Sequence, residues 1–146
     1  MPSKDAHLKA VFHNTSVIQY LLASPEPTPQ WLTTLAFYKA LHIVEAVFTS
    51  DTKAPIPHAD SHEQRNKVLK NTPRYIPLWK HYRELWNDSL VARYLTSCGE
   101  KEAYADFADY LTVDEFKSKH LKHHMVKIIQ MARSLTGDDS LLSTEC

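Results

Sequence analysis

WLTTLAFYKALHIVEAVFT, residues 31–49, is apolar around most of a helical circumference. Phe37, Ala40, Leu41, Val44, Val47 and Phe48 recur at helical spacing and make one wide face, and Trp31, Leu35, Tyr38, His42 and Glu45 form a second stripe beside it. A helix with two such faces needs neighbours on more than one side, so it belongs at the centre of a bundle. The stretch that follows, SDTKAPIPHADSHEQR (50–65), is broken by Pro55 and Pro57 and reads as a histidine-bearing surface loop entering another helix.

Outward from this segment, the chain reads as helical throughout. Asp5 is placed to cap a first helix that ends before Pro25, with Leu8, Val11, Phe12, Thr15, Ile18 and Leu22 inward. Pro25, Pro27 and Pro29 stiffen the connection to the central helix, which predicts a tight antiparallel hairpin. Ser61 with Gln64 forms a capping-box pattern that opens a short third helix ending before Pro73. Pro77 suits the first turn of a fourth helix over 78–97, lined by Leu78, Trp79, Tyr82, Leu85, Trp86 and Leu90 and ended by Gly99. A short helix is expected within 100–111 from the spacing of Tyr104, Phe107, Ala108 and Leu111. Thr112 with Glu115 then starts a last long helix, with Phe116, Leu121, Met125, Ile128, Ala132 and Leu135 inward and Gly137 as its stop.

The 146 residues, 43% of them hydrophobic, suffice for one core. With only two glycines and no alternating segment of strand length, the fold class is all-α: an up-and-down bundle of four to five main helices with a short extra helix. Residues 1–137 form the single domain, and 138–146 are expected to be a disordered tail. Seventeen basic and 17 acidic residues cancel, so no global field draws the molecule to nucleic acid or membrane. Locally, Arg65, Lys67, Lys70, Arg74, Lys80 and Arg83 follow one another with no acid among them. Cys98 and Cys146 make no disulfide framework, and neither a signal peptide's apolar stretch nor a spanning segment is visible, so the expectation is a cytoplasmic protein without membrane contact.

Nine histidines raise the question of a metal. His58 and His62 with Asp60, or His120, His123 and His124, are the nearest groupings, but neither has a tight zinc spacing, and Lys117, Lys119, Lys122 and Lys127 surround the second. The expectation is therefore no metal and no cofactor. Histidine with arginine is the other chemistry on offer. Together they serve metal-independent RNA cleavage, in which a base takes the 2′-hydroxyl proton and a cation stabilises the charged phosphorane. His62 with Arg65 sits at the start of the third helix, and Arg74 with His81, followed by Tyr82, brackets the turn into the fourth. Arg93, Tyr94, Trp31 and Tyr38 read as packing residues, and no glycine-rich loop exists to cradle a triphosphate.

The run from Trp31 through Ala36-Phe37-Tyr38-Lys39-Ala40-Leu41-His42-Ile43-Val44-Glu45-Ala46, then Ser61-His62-Glu63-Gln64-Arg65-Asn66, then Tyr82, Leu85, Ser89 and Ala92-Arg93-Tyr94, resembles the HEPN superfamily of higher eukaryote and prokaryote nucleotide-binding domains. The resemblance implies a helical bundle that forms homodimers and binds nucleotide or RNA. It also implies a place in toxin–antitoxin or phage-defence systems, with a cognate antitoxin or nucleotidyltransferase as partner. On this reading His42, His58, His62, Arg65 and Asn66 bind the ligand. The alternative it implies is a metal-independent endoribonuclease with Arg74, His81 and Tyr82 as catalytic residues at a dimer cleft.

Overall fold

The computed structural model describes residues 2–94 and 106–137. The architecture is an all-α bundle, and the described residues contain no strand. Its elements are α1 (Lys4–Leu22), α2 (Pro29–Ser50), α3 (His62–Asn71), a 3₁₀ turn (Pro73–Tyr75), α4 (Ile76–Tyr94), the single turn α5 (Phe107–Tyr110), and a final helical run. That run begins as α6 (Val113–Glu115), widens into a π segment (Phe116–Met125) and ends as α7 (Val126–Thr136).

The central position of α2 follows from its sequence. Phe37, Ala40, Leu41, Val44, Val47 and Phe48 are all buried, and the helix packs against α1, α4, the π segment and α7. Pro29 occupies the first helical turn, where its missing N–H costs nothing. The α1–α2 hairpin forms as the three prolines predict, although the cap of α1 is Ser3, whose hydroxyl accepts from Ala6 N, rather than Asp5. The buried side of α1 is His7, Leu8, Val11, Thr15 and Ile18; Phe12 is 39% exposed. The face actually used steps by three or four residues from His7, and Phe12 falls beside it.

Both capping boxes stand at helix starts. Ser61 Oγ accepts from Gln64 N, while Gln64 Oε1 reaches one residue further back, to Asp60 N. Thr112 and Glu115 bond reciprocally. Gly137 takes a left-handed φ of 66° and closes α7, as a helix-terminating glycine does. The π segment was not legible in the periodicity. Its i→i+5 winding puts more residues in each turn, which brings His120 and His124 inward along with Phe116, Leu121 and Met125. The expected end of the fourth helix over 95–97, Cys98, Gly99, Tyr104, and the tail 138–146 with Cys146 lie outside the described residues. Among the described residues, no helix is long and apolar enough to cross a membrane.

Candidate functional site

Glu45 is the hinge of the more deeply built polar cluster. It lies on α2 with its side chain fully buried, and it is approached from three directions. Arg65 Nε on α3 donates to Oε1 at 2.7 Å, Ala59 N donates to Oε2 at 3.2 Å, and His58 Nδ1 in the loop lies 3.0 Å from Oε2. Around this core, Arg65 Nη1 donates to His62 Nδ1 at 3.2 Å, and His42 and His7 meet through their Nδ1 atoms at 3.0 Å. Burial lowers the pKa of His7 and His42, with a counteracting pull from Glu45. Burial followed by the charges of Arg65 and Arg93 lowers that of His62.

The loop that delivers His58 is pinned at both ends. Asp51 Oδ2 accepts from Tyr75 Oη at 2.6 Å and Arg74 Nε at 2.8 Å, and Asp51 Oδ1 accepts from Lys53 N. Thr49 Oγ1 donates to Pro57 O and to Glu45 O. Four of the five expected ligand residues, His42, His58, His62 and Arg65, thus gather around Glu45. Asn66 follows Arg65 on α3, with its Oδ1 buried and without a hydrogen-bond partner. His7 was missed because nothing local marks it. It sits on the apolar side of α1, 35 residues from its partner His42.

The expected catalytic trio has a different setting. Arg74 is held by Asp51, His81 Nδ1 meets His124 Nδ1 at 3.0 Å, and Tyr82 is fully buried in the core, where burial raises its pKa. His81 thereby joins a second cluster at the other side of α4. There Asp88 accepts from Tyr110 Oη and from Lys119 Nζ at 3.2 Å and lies 2.8 Å from His120 Nε2.

In this second cluster the pKa of His124 is lowered to about 4, first by burial and then by His120, His123, His81 and Lys119. The native state resists a proton that the unfolded chain accepts. The associated stability is therefore fully present above pH 6.5 and is lost as pH falls toward 4. Urea unfolding compared at pH 7 and pH 4 is expected to show a loss on the order of 2 kcal/mol from this group. His124→Gln, which cannot titrate, should flatten that interval; an unchanged slope would remove the assignment.

A third feature is an arginine set among aromatic rings. The Arg93 guanidinium lies 5.5 Å from the ring centre of Phe37, 5.9 Å from Tyr38, 5.7 Å from Trp86 and 5.4 Å from Tyr94. Ser89 accepts from it through both its carbonyl and its hydroxyl. The His62 ring packs 4.9 Å from Trp86, which links this face to the Glu45 cluster. Trp31 and Tyr94 are 61% and 64% exposed, so the sequence expectation that they are packing residues does not hold. Gln30 Nε2 donates to Ala92 O at 2.7 Å, fixing the start of α2 beside the end of α4.

No family model, curated protein or solved structure matches the chain. Its chemistry is read from these three arrangements.

Proposed function

We propose that the chain is a HEPN-like helical module that binds single-stranded RNA or a nucleotide on the face formed by Tyr38, His62, Trp86, Arg93 and Tyr94. The observation that carries this reading is Arg93, held at one edge by Ser89 and flanked by four aromatic rings, exposed Tyr94 among them. A guanidinium answers phosphate while neighbouring rings accept base faces, each stack contributing about 1–3 kcal/mol. Arg65, by contrast, is buried and already neutralised by Glu45, so it positions the cluster rather than meeting a phosphate. Metal-independent cleavage by Arg74 and His81 needs an arginine ready for the phosphorane. Arg74 instead faces Asp51, which favours binding over turnover as the reading.

Fluorescence anisotropy of a labelled mixed-sequence single-stranded RNA, titrated in excess EDTA, tests this. Arg93→Ala and Tyr94→Ala are each expected to weaken binding about 5- to 100-fold. An Arg74→Ala, His81→Ala double variant should bind as the wild type does. Binding that is absent in the wild type, or unaffected by both face variants, would overturn the reading. RNA shortened by the wild type but not by the double variant would establish the ribonuclease instead. Light scattering on the same samples reads whether the binding species is the homodimer that the resemblance implies.

A further inference from the structure

Three side chains from three elements converge beside the Arg65–Glu45 pair. His7 from α1, Glu45 from α2 and His58 from the loop each bring one metal-ligating atom within 4.8 Å of the others. His7 is 3% exposed and Glu45 is fully buried. His7 Nε2 and His58 Nδ1 are both buried and make no hydrogen bond, and His58 Nδ1 lies 3.0 Å from Glu45 Oε2 without hydrogen-bond geometry. Folded proteins pair almost all buried polar atoms, so two orphaned imidazole nitrogens on residues grouped with one buried carboxylate call for a common partner. A cation satisfies all three at once.

We propose that His7, Glu45 and His58 hold a divalent transition-metal ion of the zinc class, with water as the fourth ligand. Two imidazoles and one carboxylate with an open position form a donor set that zinc accepts. Ligand atoms of a tetrahedral zinc lie roughly 3.3 Å apart, given bonds of about 2.0 Å. The His58–Glu45 separation of 3.0 Å is close to this, and the other separations, within 4.8 Å, would shorten as the ion draws the ligands in. The supporting shell is also in place, as metal ligands require. His42 engages His7 through Nδ1, and in the tautomer in which His7 Nδ1 donates, its Nε2 is the lone pair available to the ion. Arg65 engages Glu45 Oε1 and leaves Oε2 to the ion, and Ala59 N steadies that oxygen.

The other histidine grouping provides the contrast. His81, His123 and His124 also approach one another, but they include no carboxylate, His123 is exposed, and the charges of Lys80 and Lys127 act on His81 while that of Lys119 acts on His124. The proposal excludes it, and it serves as an internal control. The ion would tie α1, α2 and the 51–61 loop together, an effect that does not depend on the RNA-binding reading.

The test uses the full, untagged chain, stripped with EDTA and exchanged into metal-free buffer. Zinc chloride is added under isothermal calorimetry, and cobalt chloride is followed by its visible absorption. One zinc per chain is expected, with low-coordinate cobalt bands and a raised melting temperature. His7→Gln and His58→Gln should each weaken zinc binding at least about 10- to 100-fold. A His81→Gln, His123→Gln double variant should bind zinc like the wild type. Circular dichroism of each variant without metal checks the fold, and half-buried His58 is the substitution most readily accommodated. Wild-type binding weaker than about 100 μM overturns the site. So does binding that survives both single substitutions, or that disappears with the His81 and His123 pair.

Discussion

Arg65→Ala is expected to lower the unfolding free energy by about 3–5 kcal/mol, as measured by urea denaturation in EDTA. The Glu45 carboxylate is fully buried, and among the described residues its one charged hydrogen bond comes from Arg65 Nε at 2.7 Å. Removing the guanidinium leaves the carboxylate facing only the Ala59 amide and the His58 ring, in surroundings that penalise an unpaired charge. His62 also loses the donor to its Nδ1. The large figure measures an abandoned charge rather than the worth of the pair. A Glu45→Leu, Arg65→Met double variant should therefore recover most of the loss, because buried pairs replaced by apolar groups of similar size often end near neutrality. A single-variant loss below about 1 kcal/mol would show that water reaches Glu45. An Arg65→Ala variant consequently reports on stability before it reports on ligand binding, and EDTA keeps metal linkage out of the measurement.

The parts of the molecule legible in the sequence are those governed by local rules. The apolar periodicity of 31–49 located the central helix, and Ser61 with Gln64, Thr112 with Glu115, and Gly137 marked helix ends through bonds made within a few residues. The gathering of His42, His58, His62 and Arg65 was legible as a set of residue types, but the carboxylate organising them was not. Glu45 appeared from spacing as one more member of the second stripe with His42, whereas its contacts run forward to His58 and Arg65, across a loop whose path is fixed by Asp51 and Thr49. Periodicity says which side of a helix is buried; it does not say which loop folds over that side. The same gap explains His7, buried on α1 opposite a histidine 35 residues later. Reading Trp31 and Tyr94 as packing residues followed from their residue type, but both stand at the surface, Tyr94 beside Arg93.

Asp88→Ala is expected to cost about 3 kcal/mol and to loosen one part of the bundle selectively. Asp88 is buried on α4 and gathers Tyr110 from α5 with Lys119 and His120 from the π segment, so one carboxylate holds three elements. Burial alone would raise its pKa; the adjoining His120 imidazole, the hydrogen bond from Tyr110 and the charge of Lys119 outweigh it and hold the group below its ordinary 3.8. The sign follows from linkage. Its contribution is fully present above pH 3.8 and is lost as pH falls through the lower native value, so the variant should lose less stability than the wild type over that acid range. Hydrogen exchange separates this effect from general destabilisation. The π segment spreads its turns around His120 and His124, and Asp88 is the carboxylate against which His120 and Lys119 are held there. Without it, amide protection should fall first across Phe116–Met125 and Phe107–Tyr110, while α2, packed on several sides by apolar groups, keeps its own. Equal loss of protection in α2 would mean that Asp88 acts on the whole core rather than on the π segment. Asp88→Asn retains an oxygen for Tyr110 while removing the charge, so its loss should fall between wild type and alanine.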